Sequence, residues 1–256
     1  MPIVVSRLAV TAVKGTRLQT VDQVELTRDG ARGDRRFFVV DERDRMVNGK
    51  VVGELTCVVA NYDEARRHLR LAFPDGQVVE GVADTGETIS ARFFSRTVDT
   101  ELIVGPWADA LSEYTGRPVR LAVAESSVDR GRRGAVSLIS RASIDRLAEV
   151  ADAGEVDARR FRMLFEISGV PAHAEDAWVG RTARIGEAIV RFNGHVGRCL
   201  ITSRDPESGE IDLPTLDILG SYRGDLETTE PLPFGVYGEV IGSGVVRIGD
   251  PVVPGE

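Results

Sequence analysis

The chain is poor in the residues on which several function classes depend. Two cysteines in 256 residues, Cys57 and Cys199, exclude a disulfide framework. They are also too few for an iron–sulfur cluster, which takes about four thiolates. The three histidines, His68, His173 and His195, form no HxxxH pair and the cysteines no CxxC, so no zinc site is expected. Basic residues are the minority: 32 Lys and Arg against 40 Asp and Glu leave a net charge of −8. That balance excludes the broad basic field that nucleic acid or an anionic membrane requires. No apolar run approaches the roughly 18 residues of a membrane span. The opening stretch is broken by Arg7 and Lys14, unlike the apolar core of a signal peptide. The chain therefore reads as reduced and cytoplasmic, with neither nucleic acid nor a membrane as partner.

What is present is ordinary material for one large domain or two small ones, 42% apolar and 28% charged. The spacing predicts short strands over 4–13, 36–41, 55–61, 69–73 and 77–81. Asp29-Gly30, Asn48-Gly49, Pro74-Asp75-Gly76 and Thr85-Gly86 act as turns between them. The segment 71–79 is the clearest hairpin. Trp107, Leu111 and Tyr114 recur at helical spacing before Gly116 and Pro118, and Ser140 caps a second helix carrying Ile144, Leu147 and Val150 on one face. A short helix is expected over 216–222, and strands over 182–192, 199–203 and 245–248. The loop 129–134, with two glycines and no apolar residue, is the expected domain boundary. It divides the chain at 1–125 and 126–256. Many short strands without βαβ alternation point to a mainly β barrel or sandwich with a few helices.

Two features carry candidate chemistry. Cys199 has Arg198 beside it and His195 four residues back, and both cations favour the thiolate, the nucleophilic and metal-binding form. Cys57, within Leu55-Thr56-Cys57-Val58-Val59, reads as core packing. The arginines of Gly33-Asp34-Arg35-Arg36 and Arg160-Phe161-Arg162 suit bidentate phosphate recognition, and Arg160 and Arg162 would share one face of a strand. No GxGxxG or Walker loop occurs.

The order of these pieces resembles the MOSC family with its N-terminal β-barrel domain, as in the mitochondrial amidoxime-reducing component and its bacterial relatives. The resemblance rests on Ala12-Val13-Lys14-Gly15, Gly33 to Val40, Ser137-Leu138-Ile139-Ser140, Asp157 to Arg162 and Ala174-Glu175-Asp176-Ala177-Trp178. Arg198-Cys199 through Gly209, Phe234 to Gly238 and Val246 to Val252 complete it. It implies two β-barrel domains with a molybdenum cofactor, molybdenum bound to a molybdopterin, between them. Cys199 would be the metal ligand and catalytic residue. Lys14, Arg35, Ser137, Ser140, Arg162, Arg198 and Thr202 would bind the cofactor, and Asp205 would support the loop. It further implies an oxidoreductase that reduces N-hydroxylated or related N- or S-oxygenated small molecules, with electrons from a separate donor protein. Two other readings compete: a carrier of the cofactor or of persulfide sulfur on Cys199, and a barrel that binds another anionic ligand. The chain departs from the family at Met163-Leu164, where relatives carry Pro-Asn, at Gly15, where they carry Ser, and at Gly197, where they carry a polar residue.

Overall fold

The computed structural model describes residues 2–93, 96–124 and 130–255. The chain is mainly β, as its turn spacing predicts. Among the described residues it has three α-helices: α1 (Trp107–Thr115), α2 (Arg141–Val150) and α3 (Thr215–Arg223). The sheets curve around their cores without closing into barrels. The largest has eight strands, in the order Val252–Pro254, Thr182–Ile185, Ala188–Gly197, Pro233–Gly242, Val136–Ser140, Phe165–Ser168, Val4–Val10 and Gln19–Val21. Its one parallel pairing among the described residues joins Val136–Ser140 to Phe165–Ser168, with α2 as the crossover that a parallel pair needs.

Two cores organise the molecule. Val5, Leu8, Leu138, Phe165, Ile185 and Phe192 are fully buried together under the large sheet. Leu55, Leu69, Leu71, Trp107, Leu111 and Leu121 fill a second core, built between residues 12 and 121. The first strand therefore belongs to the core of the second half of the chain. The Gln23–Thr27 strand joins that half as well, pairing with Gly244–Arg247. The chain crosses between the cores three times in its first 37 residues: between Val10 and Ala12, after Val13 on the way to Val24, and between Ala31 and Phe37. The expected boundary between residues 125 and 126 lies outside the described residues, as does Asp129. Gly131–Gly134 forms a 3-10 turn.

The hairpin over 71–79 forms as expected: the Asp75 carboxylate accepts the Gln77 N–H at 2.9 Å, and Gly76 adopts φ +91°. Four expectations are corrected. Residues 55–61 split into a 3-10 turn, Gly53–Cys57, and a strand, Val59–Asp63, because the Thr56 hydroxyl donates to Gly53 O at 2.7 Å and closes the turn. Residues 199–203 are a 3-10 turn, not a strand. Thr85-Gly86 marks a bulge inside the Asp84–Phe93 strand rather than a turn. Arg160 and Arg162 lie in no strand: Arg160 ends in a 3-10 turn and Arg162 takes φ +54°, so the two diverge.

Candidate functional site

A cleft of about 330 Å³ opens where the chain crosses between its cores. Lys14, Arg35, Ser137, Arg162, Arg198, Cys199 and Thr202 all line it. Three backbone bends position the first of these. Lys14 N donates to Phe37 O at 2.8 Å, and Gly15 follows at φ +96°, a conformation an L side chain adopts only with strain. The turn therefore calls for glycine. Asp34 accepts the Thr11 N–H at 2.9 Å and pairs with Arg35, itself at φ +49°. Arg35 Nη2 then donates to Arg162 O at 2.8 Å, and Arg162 Nη2 donates to Thr16 O at 2.8 Å. Each bend is thus fastened to the next by a cationic side chain at the cleft.

Arg198 is held differently. Its Nη1 donates to Phe161 O at 2.8 Å and its Nη2 to Phe234 O and, at 3.2 Å, to Met163 Sδ. The guanidinium lies 5.5 Å from the Phe161 ring and 5.8 Å from the Phe234 ring. Burial brings its pKa down to about 9, opposed by the attraction of Cys199 and reinforced by Arg130. This arginine fastens three segments beneath the cysteine. Cys199, half-buried and free, begins the 3-10 turn. Thr202 N and Oγ1 both donate to Cys199 O at 3.0 Å, and Thr215 Oγ1 donates to Thr202 O at 2.8 Å. The Thr202 hydroxyl therefore braces the cysteine's backbone.

The Asp205–Gly209 turn anchors this loop to the other half of the molecule. Asp205 accepts the N–H groups of Glu207 and Ser208 at 3.0 and 2.8 Å. Glu207 reaches Arg17 at 2.8 Å and Arg159 at 2.6 Å. A Cβ on Gly209 would lie 2.5 Å from Gly53 O, so the two loops meet backbone to backbone. Met163 and Leu164, buried, are part of the wall. Ser137 Oγ accepts the Leu164 N–H at 3.1 Å, which ties this wall to the Val136–Ser140 strand.

Two readings of the sequence are corrected. Ser140 lies outside the cleft: it is fully buried, caps α2 by accepting the Ser143 N–H at 3.2 Å, and its N–H donates to Glu175 at 2.9 Å. His195 lies outside the cleft as well. Its N–H donates to Thr229 Oγ1 at 2.7 Å and its Nε2 stands 4.0 Å from Asp176, on the side of the strand away from Val196. Residues that spacing did not single out do line the cleft: Lys50, Arg130 and Tyr237. Arg130 sits over the Tyr237 ring at 4.5 Å. A basic residue in a loop of basic residues gives no sequence signal, and only the fold brings it to Tyr237.

The electrostatic balance is local and opposite to that of the chain. Six cations, Lys14, Arg35, Lys50, Arg130, Arg162 and Arg198, line the cleft against Asp29 and Asp34. Asp34 is paired with Arg35, and Asp29 with Arg132 at 2.7 Å. Such a surplus suits a ligand with several negative charges. Among the described residues no three His, Cys, Asp or Glu side chains are arranged to hold a metal ion.

The MOSC N-terminal β-barrel domain matches residues 3–103 and the MOSC domain matches residues 125–253, and the chain belongs to this family. It is similar to mitochondrial amidoxime-reducing component 1 of Xenopus laevis, 26% identical over 97% of this chain and 81% of the relative. Mitochondrial amidoxime reducing component 2 of Bos taurus is 27% identical over 97% and 82%. The molybdenum cofactor sulfurase of Oryza sativa subsp. japonica is 27% identical over 82% of this chain but 30% of its own length. In fold, the YUAD protein of Bacillus subtilis superposes with a TM-score of 0.50 at 12% identity, over 99% and 96% of the two chains. No helix among the described residues is long and apolar enough to cross a membrane.

Proposed function

We propose that the cleft holds a molybdenum-bearing pterin cofactor through its phosphate and that the protein reduces N-hydroxylated small molecules. The observation that carries this reading is the half-buried Cys199 thiol in a cleft with six cations and two already paired carboxylates. Thiolate is a soft ligand that suits molybdenum, and guanidinium and ammonium groups suit a dianionic phosphate. The residues therefore fit the group. Lys14, Arg35 and Arg162, linked across three bends, would hold the phosphate, and Cys199 would ligate the metal. When bound, the cofactor supplies two-electron oxygen-transfer chemistry.

The chain itself supplies position and charge. Arg198 stays cationic at neutral pH beneath Cys199 and draws negative charge toward that side of the cleft. Thr202 and Thr215 fix the backbone at the cysteine, and the Glu207 and Gly209 contacts fix the loop against the other core. Electrons would come from a separate donor protein, since two cysteines leave no set of thiolates for a cluster.

Expression in a host that makes the cofactor tests the reading. Stoichiometric molybdenum is expected in the wild type and its loss in Cys199→Ala at unchanged melting temperature. Benzamidoxime should be turned over with a chemical reductant. Molybdenum at full occupancy without turnover would replace the reductase by a carrier. No molybdenum at full protein yield would leave the cleft to another anionic ligand.

A further inference from the structure

The segment 231–234 pairs with the chain just before Cys199, Pro233 opposite Gly197. Pro231 and Pro233 have no N–H to give, so the segment is held through its carbonyl groups. Leu232 O accepts the Arg198 N–H at 3.2 Å, and Phe234 O accepts Arg198 Nη2. Between them, Pro233 O accepts Arg223 Nε at 2.7 Å. These consecutive carbonyls are thus divided between two arginines, Arg198 at the cleft and Arg223 buried outside it. Leu232 itself takes φ +48°, a left-handed conformation that a leucine keeps only where its surroundings enforce it. Arg223 is fixed in turn by Asp176, which accepts its Nη2 at 2.6 Å.

We infer that Arg223, outside the cleft, is a positioning residue for the Arg198 guanidinium and through it for the positive field at Cys199. This rests on the reading of the cleft as a reductase site and names a residue that sets its electrostatics. The Arg223 guanidinium is planar and rigid, so with Nη2 committed to Asp176 its Nε fixes where Pro233 O lies. Planar peptide units, a proline ring and a left-handed leucine leave the neighbouring carbonyls little freedom once Pro233 O is set. Arg198 takes both of those carbonyls, one with its backbone N–H and one with its side chain, and its guanidinium follows them. A lysine at 223 would carry the same charge as a point donor on a flexible stem. It could not hold Asp176 and Pro233 O in one fixed geometry. Charge and position are therefore separable at this residue.

The test compares the rates at which iodoacetate and iodoacetamide alkylate Cys199, followed by mass spectrometry on the purified full chain at one pH. Both reagents attack the thiolate, so its population cancels in the ratio of rates, and what remains is the field that meets the anionic reagent. Arg198→Met should lower the ratio of iodoacetate to iodoacetamide about tenfold. Arg223→Lys should lower it about threefold at unchanged net charge. Asp176→Ala, which releases Arg223, should lower it as well, whereas a direct action of the lost negative charge would raise it. Each variant is compared at wild-type near-ultraviolet circular dichroism. The inference is overturned if Arg198→Met or Arg223→Lys keeps the wild-type ratio, or if Asp176→Ala raises it. Either Arg223→Lys or Asp176→Ala decides alone should the other not fold. Alkylation needs no cofactor, so molybdenum content judges the reductase reading separately: metal-free protein with the expected ratios keeps the positioning role and loses the reductase.

Discussion

Two polar regions meet at Phe234, whose ring touches Arg198 on one side and His173 on the other. On the cleft side, cations outnumber carboxylates and face open volume. On the other side, Arg223 is buried and pairs with Asp176 at 2.6 Å while its Nε donates to Pro233 O at 2.7 Å. Glu175, fully buried there, accepts from Ser140 N and from Ser143 Oγ at 2.9 and 2.8 Å. Burial raises its pKa, and burial with the nearby Arg223 lowers that of His173 to about 4. Residue types do not separate the two regions, since each has arginines, carboxylates and hydroxyls. What separates them is balance. The sealed cluster pairs the buried Arg223 with Asp176, as low polarity demands, whereas the cleft lines open volume with more cations than carboxylates.

Removing one arginine from each region breaks the comparison most sharply. Arg223→Met leaves the Asp176 carboxylate without its ion partner and Pro233 O without its donor, and should cost about 3 kcal/mol in urea unfolding. Arg130→Gln, half-exposed in the cleft wall, should cost less than about 1 kcal/mol. Equal losses would show that the cleft, too, is built for stability.

The next largest effect is a pH dependence confined to the cluster. His173 takes up its proton at about 4 in the folded chain, against 6.5 for an ordinary histidine. The unfolded chain therefore binds that proton first as pH falls. Stability from the neutral histidine is complete above pH 6.5 and is lost progressively between 6.5 and 4. Glu175, raised by burial, works in the opposite sense. His173→Asn isolates the histidine and suits its φ of +63°. Between pH 7.5 and 4 the wild type should lose about 1 to 2 kcal/mol relative to the variant, partial exposure having screened the full shift. Parallel urea midpoints across that range would remove His173 from the account.

Local chemistry made much of this molecule readable before its fold was known. Pro74-Asp75-Gly76 closes its hairpin through its own side chain, and Trp107 and Leu111 are buried at the spacing that announces α1. Cys57 is buried as its apolar neighbours suggest. Arg198 beside Cys199 was readable locally, whereas Lys14, Arg35 and Arg162 joined it as a set only through the family resemblance, and the fold gathers them. What stayed hidden depends on distant partners. The strand 84–93 is exposed over its first five residues, and its apolar alternation is confined to Ile89, Ala91 and Phe93. The pairing of Val4–Val10 with Phe165–Ser168 spans some 160 residues. Arg160 and Arg162 look alike in sequence, yet Arg160 pairs with Asp212 at 2.6 Å and Arg162 faces the cleft, because the backbone turns left-handed between them and their partners are remote.

Ser140 offers the finest test of the boundary between the two regions. It stands three residues beyond Ser137, close enough in sequence that a cofactor role suited both. One strand carries both and ends at Ser140, where α2 begins. Ser137 lines the cleft, whereas the Ser140 hydroxyl accepts the Ser143 N–H and meets Ser143 Oγ at 2.7 Å inside the cluster. Ser140→Ala removes that cap and should cost about 1 kcal/mol. The Ser140 N–H to Glu175 bond survives, being backbone, so the cluster should not collapse. Molybdenum content of the variant should equal that of the wild type. A fall in metal content without a fall in stability would place Ser140 in the cleft after all. The expected pattern, stability lost and metal kept, sets the dividing line within one strand, between a hydroxyl at the cleft and a hydroxyl closing a helix.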